Sequence, residues 1–243
     1  MAEVHVFGVV RASDGAPPEA RTIAHRYIAA IVTDAEHRPI AASKLLREHS
    51  RLLGATAEQT TVVPVRFGTV MENEQAVIDE FLAPSHDSLR QRLEALDGKV
   101  QLTVKGFYDE AALLREVIDA SPAIAKLRER TRALPEAAGY YDRIRLGELV
   151  SAEVDQARER DTTNVLARLE PLAVAASREP PSTHDSAVHA AFLVERDRVD
   201  EFGRAVAQLG EELSGRMTLR SIGPLPAYSF AGDDSPTGAP AWA

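Results

Sequence analysis

The sequence predicts an α+β protein built from two domains. The chain has 243 residues, strand-like and helix-like apolar patterns alternate along it, and helical patterns fill its middle third. Two domains of about 100 to 130 residues each are ordinary for a chain of this length. With 44% hydrophobic and 27% charged residues, each domain has enough apolar side chains to build a core.

Two apolar segments near the N-terminus predict strands. Residues 4–10 are rich in β-branched side chains and precede a turn-forming segment that contains Gly15. Residues 27–32 are apolar at nearly every position, which predicts a central strand covered on both faces.

Apolar residues at helical spacing predict an amphipathic helix over residues 45–53, which Gly54 is expected to end. His49 lies on the apolar face of this helix. We therefore expect a packed, partly buried histidine there rather than a ligand to a metal.

Residues 62–70 read as one strand with Val63, Val65 and Phe67 on a common face. Because Pro64 lacks a backbone N–H, the strand is expected at the edge of a sheet. Asn73 is a good N-cap for the helical pattern that follows, and Pro84 is expected to break or kink it. Residues 100–105 then alternate apolar and polar side chains, which predicts a strand with one buried and one solvated face.

The rest of the chain predicts a block of helices followed by a β-α-β pattern. Helical spacing recurs over residues 114–169, alternation marks a strand over 188–194, a helix follows, and a last apolar segment begins at Met217. We interpret residues 1–98 as an N-terminal α+β domain. Residues 99–230 form a second domain, ferredoxin-like with a helical insertion, and residues 231–243 a flexible tail.

Charge and composition exclude several classes of protein. Lysines and arginines number 28 and aspartates and glutamates 37, so the net charge is −9. An acidic surface repels phosphate, and neither nucleic acid nor a membrane is expected as a partner. The chain has no cysteine, which excludes disulfides and cysteine-ligated metals. The first residues lack the features of a signal peptide, so we expect a cytoplasmic protein.

Motifs that carry catalysis or bind cofactors are absent from the sequence. There is no phosphate-binding loop, no dinucleotide-binding glycine pattern and no HExxH motif. His184 and His189 lie near Asp185, but a polar loop explains them better than a catalytic or metal site. We expect no catalytic residue, no metal, no cofactor and no small-molecule substrate.

Two segments are candidates for binding a partner. In residues 64–69, Arg66 lies inside an apolar segment, where its guanidinium must reach water or pair with a carboxylate, so a structural ion pair and a partner-binding role are both open. Residues 223–230 form a proline-stiffened arm that packs on its own domain or docks on another protein. The candidate partner-binding residues are Arg66, Phe67, Leu225, Tyr228 and Phe230.

These two segments resemble the gas vesicle accessory proteins of the GvpF/GvpL family. The similarity rests on Pro-Val-Arg-Phe-Gly-Thr at residues 64–69 and on Gly-Pro-Leu-Pro-Ala-Tyr-Ser-Phe at residues 223–230, and it spans about residues 3–230. The resemblance implies two α+β domains, the second related to ferredoxin-like folds. It also implies a non-enzymatic accessory or minor structural protein, located at the gas vesicle or in the cytoplasm. Its expected partners are the hydrophobic shell protein and other accessory proteins.

Two other functions stay open from the residues themselves. Ferredoxin-like domains also serve as small-molecule-binding or regulatory modules. In that case Arg66, Lys105 and His189 would line an anion pocket between the domains. An enzyme that uses His184 and Asp185 is a third possibility, although the sequence suggests no activity for it.

Overall fold

A computed structural model describes residues 3–35, 42–135, 138–181, 183 and 185–232 of the chain. In these residues, helices accompany two antiparallel sheets, which confirms the α+β prediction. The chain folds into two compact units. The first comprises Met1–Gln101, Leu193–Arg196 and Gly223–Ala243, and the second comprises Leu102–Phe192 and Asp197–Ile222. The predicted tail lies outside the described residues from position 233 onward.

The sheet of the first unit is built around the N-terminal strand. Its strands are β1 (Val4–Arg11), β2 (Arg21–His25), β3 (Ile28–Asp34), β4 (Val63–Pro64) and β5 (Val70–Met71). The order is β2-β3-β1-β4, and β5 also pairs with β1. The sequence pattern missed β2. The expected edge position of Pro64 is confirmed, because β4 ends this order.

A bulge in β1 shifts the alternation of its side chains between the two faces of the sheet. The register with β3 shifts between Val6 and Gly8. Consequently Val6 and Val9 lie in one core cluster, while Phe7 and Val10 lie in another. Both faces are therefore covered, as the continuous apolarity of residues 27–32 predicted.

Helices cover each face of this sheet. Helix α1 (Ala42–Gln59) packs Leu52 and Leu53 against one face. The short helix α2 (Glu74–Ala76), a π-helical segment (Val77–Leu82) and helix α3 (His86–Ala95) supply Phe81, Leu89 and Leu93 to the other. The Asn73 side chain accepts a hydrogen bond from the Ala76 backbone N–H at 2.9 Å, which confirms the predicted N-cap.

Three expectations for the first half of the chain were wrong in detail. Helix α1 continues through Gly54 to Gln59, since one glycine costs a helix only about 1 kcal/mol. Residues 62–70 form two short strands separated by a turn, because Gly68 has a φ of +84°. Residues 100–105 have no wet face, since Gln101 and Thr103 are buried as well.

The close approach at Gly8 gives a testable prediction. A Cβ at this position would lie 2.8 Å from Val62 Cγ2 and 3.0 Å from the Val63 carbonyl oxygen, so backbone would have to move. We expect Gly8→Ala to lower the free energy of unfolding by about 1 to 3 kcal/mol in urea titrations. Gly54→Ala is the control. It meets nothing within 4 Å and should raise stability by about 0.5 to 1 kcal/mol. If Gly8→Ala and the wild type unfolded at the same urea concentration, the close packing around Gly8 would be contradicted.

The second sheet follows a β-α-β-β-α-β order. Its strands are β6 (Lys99–Tyr108), β7 (Ala175–Arg178), β8 (Ser186–Glu195) and β9 (Met217–Leu225), in the order β7-β8-β6-β9. Helices α4 (Glu110–Ala120), α5 (Pro122–Ala133) and α6 (Tyr140–Leu169) separate β6 from β7, and α7 (Val199–Glu212) separates β8 from β9. This succession is that of ferredoxin-like domains. The ferredoxin-like assignment and the domain boundary near residue 98 stay predictions.

An ion-pair network ties together four segments of the second unit. Arg216, in the turn before β9, donates to both carboxylate oxygens of Asp161 on α6, at 2.8 and 2.9 Å. It also donates to both oxygens of Glu116 on α4, at 2.6 and 3.0 Å. The Tyr108 hydroxyl, at the end of β6, donates to Asp161. Sequence reasoning missed this network, because its members lie up to 108 positions apart, from Tyr108 to Arg216.

Candidate functional site

A groove of about 580 Å³ opens on the first unit. Three of the predicted partner-binding residues line it: Arg66, Phe67 and Tyr228. All the lining residues belong to the first unit. The predicted residues Leu225 and Phe230 are half-buried and are not among those that line the groove.

The turn after β4 places Arg66 and Phe67 at the groove. The Thr69 backbone N–H and hydroxyl both donate to the Arg66 carbonyl oxygen, at 3.3 and 2.9 Å, and Gly68 supplies the positive φ of the turn. Arg66 is exposed, and Phe67 keeps 41% of its surface in solvent. Among the described residues Arg66 forms no ion pair, so the ion-pair alternative for this arginine has no support in the structure.

The C-terminal arm brings Tyr228 to the same groove. After β9, a short 3-10 turn (Tyr228–Phe230) is held where the Ser229 backbone N–H donates to Gln101 Oε1 at 2.8 Å. Ala227 and Ala231 are buried in the core of the first unit, and Phe230 packs against it. The arm therefore packs on the first unit, and it leaves Tyr228 41% exposed.

His49, which also lines the groove, is packed between two phenylalanine rings. Its ring stacks on Phe7 at a centroid distance of 5.3 Å and meets Phe67 edge-on at 5.5 Å. Burial, with a smaller effect of the nearby His5, lowers the pKa of His49 to about 4. Only 5% of its surface is exposed, which confirms the expectation of a packed histidine.

The described residues that line the groove combine two arginines with apolar side chains. Arg66 and Arg92 contribute guanidinium groups, and no carboxylate is among the described residues that line it. Arg92 Nη1 donates to the Ala231 carbonyl oxygen at 2.5 Å, so the arm holds this side chain in place. The apolar lining comes from Leu46, Val63, Val65, Phe81 and Leu89.

A second groove of about 270 Å³ has the opposite charge. It shares His49 and Phe67 with the first groove, but Glu19, Asp34 and Glu48 contribute carboxylates to its lining. The two grooves therefore offer different electrostatic environments around the same aromatic pair.

The described residues named for the alternative functions are divided between the two units. His189 Nδ1 lies 2.6 Å from the Pro180 carbonyl oxygen, and Lys105 and His189 belong to the second unit whereas Arg66 belongs to the first. His184 lies outside the described residues. In the part of the chain that the structure describes, no three histidine or acidic side chains are grouped to hold a metal. Likewise, no described helix is long and apolar enough to span a membrane.

Sequence reasoning missed two contributors to the first groove. Arg92 lies three positions after Leu89 on α3, so it shares a face with the apolar stripe of that helix. Leu46 belongs to the apolar stripe of α1, yet it is 49% exposed. The helical spacing places both residues on apolar faces, but nothing in the sequence marks them as lining a groove.

The fold and the groove define an α+β protein with two units and a basic, apolar groove on the first. Residues 3–232 match the family model described as "Gas vesicle synthesis protein GvpL/GvpF". The chain belongs to this family, and it is a gas vesicle-related protein.

Relatives of the chain include both named branches of the family. It is 32% identical over 239 residues to gas vesicle protein F of Streptomyces sp. (strain CB03234), covering 93% of this chain and 98% of the relative. It is 26% identical over 258 residues to gas vesicle protein L of the same strain, covering 94% and 92%. Gas vesicle protein F of Nostoc sp. is 25% identical over 81% of this chain and 80% of its own length.

Two solved structures share the fold. The crystal structure of GvpF from Anabaena sp. PCC7120 superposes with a TM-score of 0.79 at 21% identity, covering 96% of this chain and 99% of that one. The crystal structure of GvpF from Microcystis aeruginosa gives 0.77 at 19% identity, covering 96% and 100%.

Proposed function

We propose that this chain is a non-enzymatic accessory or minor structural protein of gas vesicles. It binds the hydrophobic shell protein and other accessory proteins while the vesicle is assembled, in the cytoplasm or at the vesicle itself. The observation that carries the proposal is the first groove, whose apolar lining leaves Phe67 and Tyr228 partly exposed beside Arg66. Aromatic and arginine side chains are enriched where proteins bind one another.

The physical need for such a protein follows from the shell itself. A wall that keeps water out of a gas space must be apolar on its inner surface. Before assembly, subunits with an exposed apolar surface aggregate unless another protein covers it. An acidic chain with a net charge of −9 can cover such a surface and keep the complex dissolved.

Co-expression with the shell protein tests the proposal. We expect the shell protein to copurify with the tagged chain, and we expect deletion of the gene to reduce vesicle flotation. Neither result depends on which surface makes the contact. Absence of copurification together with unchanged flotation would contradict the proposed function.

A small-molecule-binding or regulatory role is the second candidate, because 580 Å³ lies within the range of ligand pockets. Calorimetric titration with common anionic metabolites separates the two. A saturable micromolar ligand that no longer binds to the Arg66→Gln variant would favour this role, whereas the absence of heat favours the assembly role.

A further inference from the structure

We propose that the first groove binds an acidic, aliphatic peptide segment of a partner protein, in which a carboxylate is flanked by aliphatic side chains. The inference rests on the proposed function, because it draws the partner from the gas vesicle proteins. It goes further by assigning the contact to one surface and by stating the chemistry of the segment that docks there.

The arginines of the groove are the reason to expect a carboxylate in the partner segment. The chain has 37 acidic residues, yet none is among the described residues that line this groove, while Arg66 and Arg92 are. Two other arginines of the first unit form ion pairs within the chain. Arg11 pairs with Asp97 and Arg51 with Glu19. Arg66 has no such pair among the described residues, so its charge is available to an incoming carboxylate.

The apolar lining carries the second step. Val65, Phe81 and Leu89 are buried, and they supply surfaces that an aliphatic side chain can cover. Phe67 and Tyr228, each 41% exposed, come from the turn after β4 and from the C-terminal arm. Partial burial raises the pKa of Tyr228 to about 12, so its hydroxyl stays protonated and can donate to a carboxylate or to a peptide carbonyl.

The groove is ordered before any partner arrives. The Ala231 carbonyl oxygen fixes Arg92, and His49 holds the ring of Phe67 edge-on. A peptide that docks here orders few protein side chains, which lowers the entropic cost of binding. In the neighbouring second groove, Glu19 pairs with Arg51 and Asp34 with Arg21, whereas Glu48 adds a negative charge that disfavours the same acidic segment.

The experiment uses the full chain and overlapping 15-residue peptides from the shell protein and from the accessory proteins encoded with it. Each acidic peptide is paired with a copy in which Asp and Glu are replaced by Asn and Gln. Fluorescence anisotropy should show an acidic, aliphatic peptide bound about 10-fold or more tighter than its amide copy. Arg66→Glu and the milder Arg66→Gln should both lower the affinity for that peptide, and Arg66→Glu should lower it by about 10-fold or more.

Arg204→Glu is the matched control. Arg204 is exposed on α7 in the second unit, where its Nε donates to the Asp200 carbonyl oxygen at 3.3 Å, so the same charge change occurs at a residue that does not line the groove. Its peptide affinity should equal that of the wild type. Equal losses in Arg204→Glu and Arg66→Glu would show a general charge effect and would overturn the assignment.

The outcomes separate this inference from the proposed function. One result is that the shell protein copurifies equally with the wild type and with Arg66→Glu, and that both bind the peptides equally well. That result leaves the proposed function standing and overturns the assignment of the groove as the binding site. If the wild type binds acidic peptides selectively and Arg66→Glu does not, the groove is supported as the binding site, even where no intact partner copurifies. Binding of inorganic phosphate or acetate without binding of any peptide also overturns it.

Discussion

Replacing Arg216 with methionine is expected to lower the free energy of unfolding by about 3 kcal/mol. The substitution removes the cation but keeps much of the side-chain volume. Asp161, of which 9% is exposed, would then lose two hydrogen bonds and the counterion that it has among the described residues, and Glu116 would lose its partner as well. A nearly buried carboxylate without a cation is costly, whereas the intact pair is close to neutral compared with an apolar replacement.

The pKa values of the network agree with this expectation. Hydrogen bonding to Arg216 lowers the pKa of Glu116 below its ordinary value. Burial is the larger cause and the hydrogen bond to Asp161 the smaller one that raise the pKa of Tyr108 above its ordinary value. The phenol therefore stays protonated and donates to Asp161. The guanidinium of Arg216 therefore stabilises the ionised form of Glu116.

Chemical unfolding by urea, followed by circular dichroism, measures the effect. Arg168→Met is the control, because Arg168 pairs with Glu212 at 3.0 Å on the surface, where both side chains are more than 40% exposed. Exposed pairs contribute less than about 1 kcal/mol. The double variant Asp161→Asn with Arg216→Met should regain part of the loss. If Arg216→Met and Arg168→Met unfolded at the same urea concentration, the ion-pair network of Arg216 would not have the structural role expected here.

The second large effect is a pH dependence that comes from His49. Its pKa is about 4 in the folded chain, against an ordinary value of 6.5, because the ring is buried. Below pH 6.5 the unfolded chain binds a proton at this residue and the folded chain does not. The stabilising contribution of the neutral ring is therefore complete above pH 6.5 and is lost as the pH falls towards 4, by up to about 3 kcal/mol.

The variant His49→Phe isolates this contribution. It keeps an aromatic ring between Phe7 and Phe67 but cannot bind a proton. The free energy of unfolding of the wild type should fall more steeply between pH 6.5 and 4 than that of the variant, with a difference in slope that vanishes above pH 7. Ser50→Ala, next to it on α1, titrates no group and should keep the slope of the wild type. Parallel profiles for wild type and His49→Phe would show that His49 is not held neutral.

The sequence predicted much of the fold where a pattern reflects one local cause. Continuous apolarity over residues 27–32 correctly indicated a strand covered on both faces, and Asn73 was found as an N-cap, since such features depend on neighbours within a few positions. The pattern failed at Gly54 and over residues 62–70. There the packing of α1 and the positive φ of Gly68 decided the structure.

The sequence indicated some residues of the candidate site and missed others. The sequence singled out Arg66, Phe67 and Tyr228, and the structure brings all three to one groove. It did not indicate Arg92, because an arginine at a helical surface position is ordinary and only the contact with Ala231 gives it a place in the groove. Leu225 and Phe230 belonged to the same motif, but burial directs Phe230 to the core.

By itself the sequence determined the class of fold, most of the helices and strands, and the family, since each depends on short-range patterns or on motifs of contiguous residues. Only the tertiary structure decided that the C-terminal arm packs on the first unit, and that residues 66 and 228 line one groove. It alone joined Tyr108, Asp161 and Arg216. Contacts between residues so far apart in the chain depend on how complete faces of helices and sheets pack, and no local pattern encodes that packing.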